Sequence, residues 1–118
     1  MNDETYRRMS TSEEKILRHL LSAGFPGCDQ LIDQLAASSV LILAPGYLDV
    51  KVESPISARF LRGSIPSEGE AEDVDGVTIH FIVHTKNGVL KCLEWYKDDG
   101  SDVVAMPRPN DIRVYAGN

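Results

Sequence analysis

The sequence is poor in the features that usually announce a chemistry or a compartment. It has two cysteines, Cys28 and Cys92, and they lack Cys-x-x-Cys spacing. No disulfide framework follows, and in a reducing compartment both are expected to be free thiols. The longest apolar run, "VLILAP" from Val40, is far short of the ~20 residues a membrane span needs. The N-terminal "MNDETYRRMSTSEEK" has no apolar segment between a basic start and a cleavage site. The expected setting is therefore the cytoplasm, with no membrane partner.

An excess of positive charge is also missing. The net charge is −6, and the Lys and Arg residues are scattered from Arg7 to Arg113. Neutralising phosphates needs clustered cations, so nucleic acid is not an expected partner. An acidic surface favours solubility and suits a basic protein partner. The motifs of many enzymes are absent: no Gly-rich phosphate loop, Gly-x-Ser-x-Gly elbow, His-Glu-x-x-His or dinucleotide fingerprint. That weakens the case for an enzyme, and no cofactor is expected.

What is present suits one α+β domain. A chain of 118 residues can bury one core without disulfides or metal. Residues 1–10 are polar and are expected to form a flexible N-terminus, with the domain over residues 11–118. "TSEEKILRHLLSAGFPG" reads as a helix. Thr11 with Glu14 forms a capping box, Ile16, Leu17, Leu20 and Leu21 form the apolar stripe, and Gly24 and Pro26 stop it. His19 lies at the edge of that stripe. A second helix is expected over residues 28–37, with Leu31, Ile32 and Leu35 inward.

From Val40 the period becomes two. "VLIL", "YLDVKVE", the segment bearing Glu68, Glu70 and Glu72, "VTIHFIVHT", "VLKCLEWYK" and "DIRVY" are strand candidates. "SPISARFLRGS" reads mostly as loop. The alternating glutamates form a solvated strand face and could protect a sheet edge. The expected fold is α+β: two N-terminal helices, then a mostly antiparallel sheet of about five or six strands.

The candidate chemistry sits in "HFIVHTKNGVLKCLEWYKDDG", from His80. Its turn can close in two ways. A two-residue Asn87-Gly88 loop pairs Lys86 with Val89 and sets His80 against Trp95. A three-residue loop pairs Thr85 with Val89 and sets His80 against Glu94. The second is the expected register, because it gathers Val77, Ile79, Phe81, Val83, Leu93 and Trp95 on one face. It also spares Glu94 an apolar burial. His80 and Glu94 then form a cross-strand pair, with Tyr96 on the same face. Such a carboxylate-oriented histidine could act as a general base; the plainer reading is a hydrogen bond that pins the hairpin. The candidate site residues are thus His80, Glu94 and Tyr96.

Other chemistry reads more plainly. His80 and His84 stand ~13 Å apart along a strand, too far to share an ion whose ligands lie at ~2.1 Å. Cys28 opens a helix, where N–H groups could activate a thiol, but a small residue at a corner is preferred. Cys92 reads as packing. "DVDG" and "DDGSD" lack the ordered ligand set of a calcium loop and read as turns.

The order of Phe25-Pro26-Gly27, Leu31, Gln34, Leu35, Asp75-Gly76, Leu93, Glu94, Tyr96, Asp99 and Gly100 resembles a family of small bacterial proteins of unknown function. The resemblance implies the α+β architecture and a bacterial cytosolic setting, and it implies no activity. Cys28 is not part of the shared pattern. The leading expectation is a non-enzymatic protein-interaction module, in one form an immunity or accessory protein that neutralises a basic toxin. The partner is another protein or a homodimer mate. The alternative is a small hydrolase or isomerase using His80 and Glu94.

Overall fold

A computed structural model describes residues 5–53 and 55–117. Two helices and seven strands follow one another: β1 (Arg7–Arg8), α1 (Thr11–Leu20), α2 (Cys28–Gln34), β2 (Ser38–Ala44), β3 (Tyr47–Val52), β4 (Ser67–Glu72), β5 (Thr78–Lys86), β6 (Val89–Lys97) and β7 (Arg113–Ala116). The strands form one antiparallel sheet in the order β1-β2-β3-β6-β5-β4-β7. This is the expected α+β architecture. One added strand comes from the N-terminal stretch, where Arg7 and Arg8 pair with Val40 and Ser39. Residues 1–4 of that stretch, and Ser54 at the start of "SPISARFLRGS", lie outside the described residues. The rest of the latter segment is loop.

α1 is capped one residue earlier than its sequence suggests. Ser10, not Thr11, is the N-cap, and Glu13 closes the reciprocal box with it. Both Ser10-x-x-Glu13 and Thr11-x-x-Glu14 fit the motif. The Arg7 guanidinium selects the first by holding both oxygens of Glu13, at 2.8 and 2.7 Å. Gly24, at φ 79°, ends the helical stretch in the left-handed conformation expected of it.

The helices cover one face of the sheet. Leu17, Leu20, Leu21 and Leu31 share a core with Val40, Leu48, Val50, Ile79, Phe81, Val83 and Leu93. α1 lies directly on β4 at Gly69, where a Cβ would come within 2.6 Å of the Leu20 side chain. The glycine therefore sets the helix-to-sheet distance.

The hairpin follows neither expected register along its whole length. Its turn is the two-residue form: Lys86 pairs with Val89, and Asn87 and Gly88 have φ of 53° and 78°, as a type I′ turn requires. Past Leu90 the pairing slips by one residue. Thr85 faces Leu90, but His84 faces Cys92, and Lys91 is the extra residue of a bulge. Val83 then faces Leu93, Phe81 faces Trp95 and His80 faces Tyr96. The turn belongs to one closure and the inward face to the other. The physical reason is burial: the bulge turns Phe81, Val83 and Leu93 to the core and Glu94 away from it.

β4 is interior, not an edge, because β7 pairs along it from Arg113 to Ala116. Edge protection is therefore not what its glutamates do.

Candidate functional site

The sheet's second face carries most of the exposed chemistry. Strand alternation puts His80, Ile82 and His84 of β5 there, beside Cys92, Glu94 and Tyr96 of β6. Glu68, Glu70 and Glu72 of β4 continue it, and Tyr115 and Arg113 of β7 lie opposite Glu68 and Glu70. Tyr47 and Asp49 of β3 extend it on the other side, opposite Glu94 and Cys92. Tyr6 joins by donating its hydroxyl to Asp49 Oδ2 at 2.5 Å. All four tyrosines of the chain thus lie on this face. Phe25 and Phe81 lie in the core on the other side.

His80 is the centre of this surface. Its Nε2–H donates to Asp98 Oδ1 at 2.5 Å, and its Nδ1 lies 3.9 Å from Glu70 Oε2. Its ring stacks on Tyr96, with centroids 5.0 Å apart and planes 20° from parallel. Tyr96 and Tyr115 remain 48% and 44% exposed, so each presents ring surface to solvent even though one face of Tyr96 is covered by His80. Partial burial and the charges of Glu70 and Glu68 push the Tyr115 hydroxyl above its ordinary value.

The His80–Glu94 pair does not form. Glu94 is opposite Ile82, and its Oε1 accepts a hydrogen bond from His84 Nε2 at 3.1 Å. The two-residue turn and the bulge at Lys91 each shift the pairing by one residue, so Glu94 moves from His80 to Ile82 and within reach of the other histidine. His80, Glu94 and Tyr96 do share a face, but Asp98 takes the carboxylate role beside His80. Asp98 stands in "DDGSD", which reads as a turn. The one signal for it is that it lies two residues beyond Tyr96, at the end of the strand opposite His80.

The acid here is only partly neutralised. Arg113 contacts Glu72 at 2.8 Å and Glu70 at 3.5 Å, and its hydrogen bond holds Glu72 below the usual carboxylate range. Among the described residues Glu68 has no ion-pair partner, and Glu94 has only His84.

The β3–β6 side of the same face is closed instead of open. Asp49 is buried under Tyr6 and under Lys91, whose Nζ reaches it at 3.3 Å. Cys92 is 3% exposed, and burial first of all pushes its thiol up. The neighbouring Tyr47 hydroxyl is pushed up to about 12, chiefly by its hydrogen bond with Cys92 and then by burial. A thiol raised in this way is a packing group. Cys28 is half-buried, and its Sγ lies 3.8 Å from Asp29 Oδ1.

The two calcium-like fragments enclose an ammonium. Lys97 is turned to the helix side, opposite Ile79, and its side chain is wholly buried. Its Nζ contacts Asp73 Oδ2 at 3.0 Å, Asp75 Oδ2 at 2.6 Å and the Asp102 carbonyl at 3.3 Å. Asp73 also accepts from the N–H groups of Val74, Val104 and Ala105. Burial pushes the Asp73 carboxyl up. The N–H of Val104, the Lys97 ammonium and the other two N–H groups outweigh it and hold the group well below the usual carboxylate range. Among the described residues no group of three His, Cys, Asp or Glu is placed to hold a metal ion. No described helix is long and apolar enough to cross a membrane.

The chain matches no family model, no curated protein and no solved structure.

Proposed function

We propose that the chain is a non-enzymatic protein-interaction module that docks a basic partner on the open face of β4, β5, β6 and β7. The observation that supports this best is the conjunction of Tyr96 and Tyr115, nearly half exposed, with the carboxylates of Glu68, Glu70, Glu94 and Asp98. Tyrosine offers a rigid, amphipathic contact surface at small entropic cost, and half-neutralised carboxylates attract arginine and lysine. A guanidinium laid over Tyr96 would meet Glu94 or Asp98 at its edge, joining cation–π attraction to a charged hydrogen bond. An immunity or accessory protein directed at a basic toxin is one form of this function. The acidic balance of the whole chain would steer such an encounter.

The test is affinity capture from extract of the native host, with quantification of each captured protein. Wild-type chain should enrich a basic protein at low salt and lose it at high salt. Glu68→Lys with Glu94→Lys should weaken that capture by roughly tenfold or more. Tyr96→Ala should do the same. Equal capture by the charge-reversed protein would sink the proposal.

A further inference from the structure

The basic residues look scattered along the chain, but the fold gathers three of them. Lys15, Arg18, His19 and Ser22 fall at i, i+3, i+4 and i+7, on the side of the α1 stretch away from Leu17 and Leu20. The turn Pro109–Asp111 comes against them from far along the chain. His19 fixes the approach: its Nε2–H donates to the Ile112 carbonyl at 2.9 Å. Between helix and turn lies an open cleft of about 720 Å³, lined by Lys15, Arg18, His19, Arg108 and Asn110 with no carboxylate among its lining residues. In a chain of net charge −6, the charged side chains lining this cleft are all basic.

The two arginines are already oriented. Glu14 holds Arg18 at 3.1 Å, and Asp111 holds Arg108 at 3.2 Å, both from outside the lining. Among the described residues Lys15 has no ion-pair partner. We propose that this cleft binds the phosphoryl group of a small phosphate ester or diphosphate. Each arginine makes a single hydrogen bond to its carboxylate, which leaves further guanidinium N–H groups able to donate into the cleft. A tetrahedral oxyanion can engage one ammonium and two guanidinium groups from different directions, with the Ser22 hydroxyl and Asn110 amide as further donors. The cleft lies along the C-terminal half of α1, where the helix dipole is negative. That end opposes any anion in proportion to its charge, so binding there has to come from the cations themselves. The volume is within the range of small-molecule sites, about 300–1,000 Å³.

The experiment is a titration of the full chain with sodium pyrophosphate at constant ionic strength, followed by amide and imidazole NMR shifts. Saturable shifts are expected at Lys15, Arg18, His19, Ser22 and Asn110. Lys15→Ala and Arg108→Ala remove exposed side chains, so the thermal midpoint should stay unchanged while the apparent Kd rises about tenfold for each. Citrate should bind at least about tenfold more weakly than pyrophosphate. Unsaturable shifts spread over all lysines, or unchanged affinity in both variants, would overturn the site. Citrate binding as tightly as pyrophosphate would overturn the phosphate assignment.

Discussion

His84 donates a hydrogen bond to Glu94 at 3.1 Å although the two residues are not a backbone pair; Glu94 lies opposite Ile82, and His84 lies opposite Cys92. The contact is diagonal, reaching along the sheet by one pair on the same face. Diagonal neighbours on a strand pair are within reach of long side chains. The two-residue turn and the bulge at Lys91 together create this geometry, and with it the separation of His80 and Glu94.

A half-exposed pair of this kind adds little to stability. Glu94→Gln should leave the unfolding free energy within about 1 kcal/mol of wild type, measured by urea titration. The same substitution should weaken capture of a basic partner. A large loss of stability would mean that Glu94 is a structural residue and not part of a docking surface.

The Gln34 amide staples α2 to the hairpin. Its Nε2 donates to the carbonyls of Ile56 and Gly88, and its Oε1 accepts from the Leu90 N–H at 2.9 Å. The Leu90 bond is buried. Gln34→Leu keeps much of the volume and strands the Leu90 N–H and the Ile56 carbonyl, while Gly88 keeps the Ala58 N–H, so it should cost about 1–3 kcal/mol. Chemical denaturation checks the number, and faster exchange of the Leu90 amide should accompany it.

Lys97 and its two aspartates predict a stability plateau with two falling sides. Hydrogen bonding to Asp75, then to Asp73, raises Lys97 above its ordinary 10.5 against the opposing effect of burial. Asp73 and Asp75 are both lowered from 3.8. A lowered carboxylate contributes stability above its unfolded value and loses it as pH falls through the folded one. A raised lysine contributes below its unfolded value and loses it as pH climbs through the folded one. Thermal midpoints should therefore decline below about pH 4 and above about pH 10.5. In Lys97→Met the alkaline decline due to this group should vanish. The acid decline should shrink but persist, because three N–H groups still hold Asp73. An acid limb unchanged in Asp73→Asn would contradict the account.

The two thiols should react at different rates. Cys28 is half-buried and Cys92 is buried with its thiol pushed up. Under native conditions a disulfide reagent should modify Cys28 first. Cys92 should react only on opening of the sheet, so urea should accelerate it strongly. Comparable native rates at both would mean that the Tyr47–Cys92 side of the face is open.

Alternating and helical periods made the two helices, the strands and the inward faces legible in the chain. Those signals are local: Leu17 with Leu20, or Phe81 with Val83, need only their own neighbours to reveal a face. Capping was legible as a motif but not as a position, because choosing Ser10 over Thr11 depends on Arg7 reaching Glu13. His80 and Tyr96 were rightly expected on one outward face. Asp98 as the partner of His80 was not legible, since turn length and one bulged residue together decide which carboxylate arrives.

The amino-acid order by itself determined an acidic α+β domain with a hairpin turn at Asn87-Gly88, of either two or three residues, and a core facing one side. Tertiary structure alone decided that four tyrosines lie on the sheet's second face, that β7 covers β4, and that Arg108 lines one cleft with Lys15 and Arg18. Periodicity reports burial one element at a time. Strand order, bulges and helix approach depend on contacts between distant segments, whose free energies no local pattern encodes.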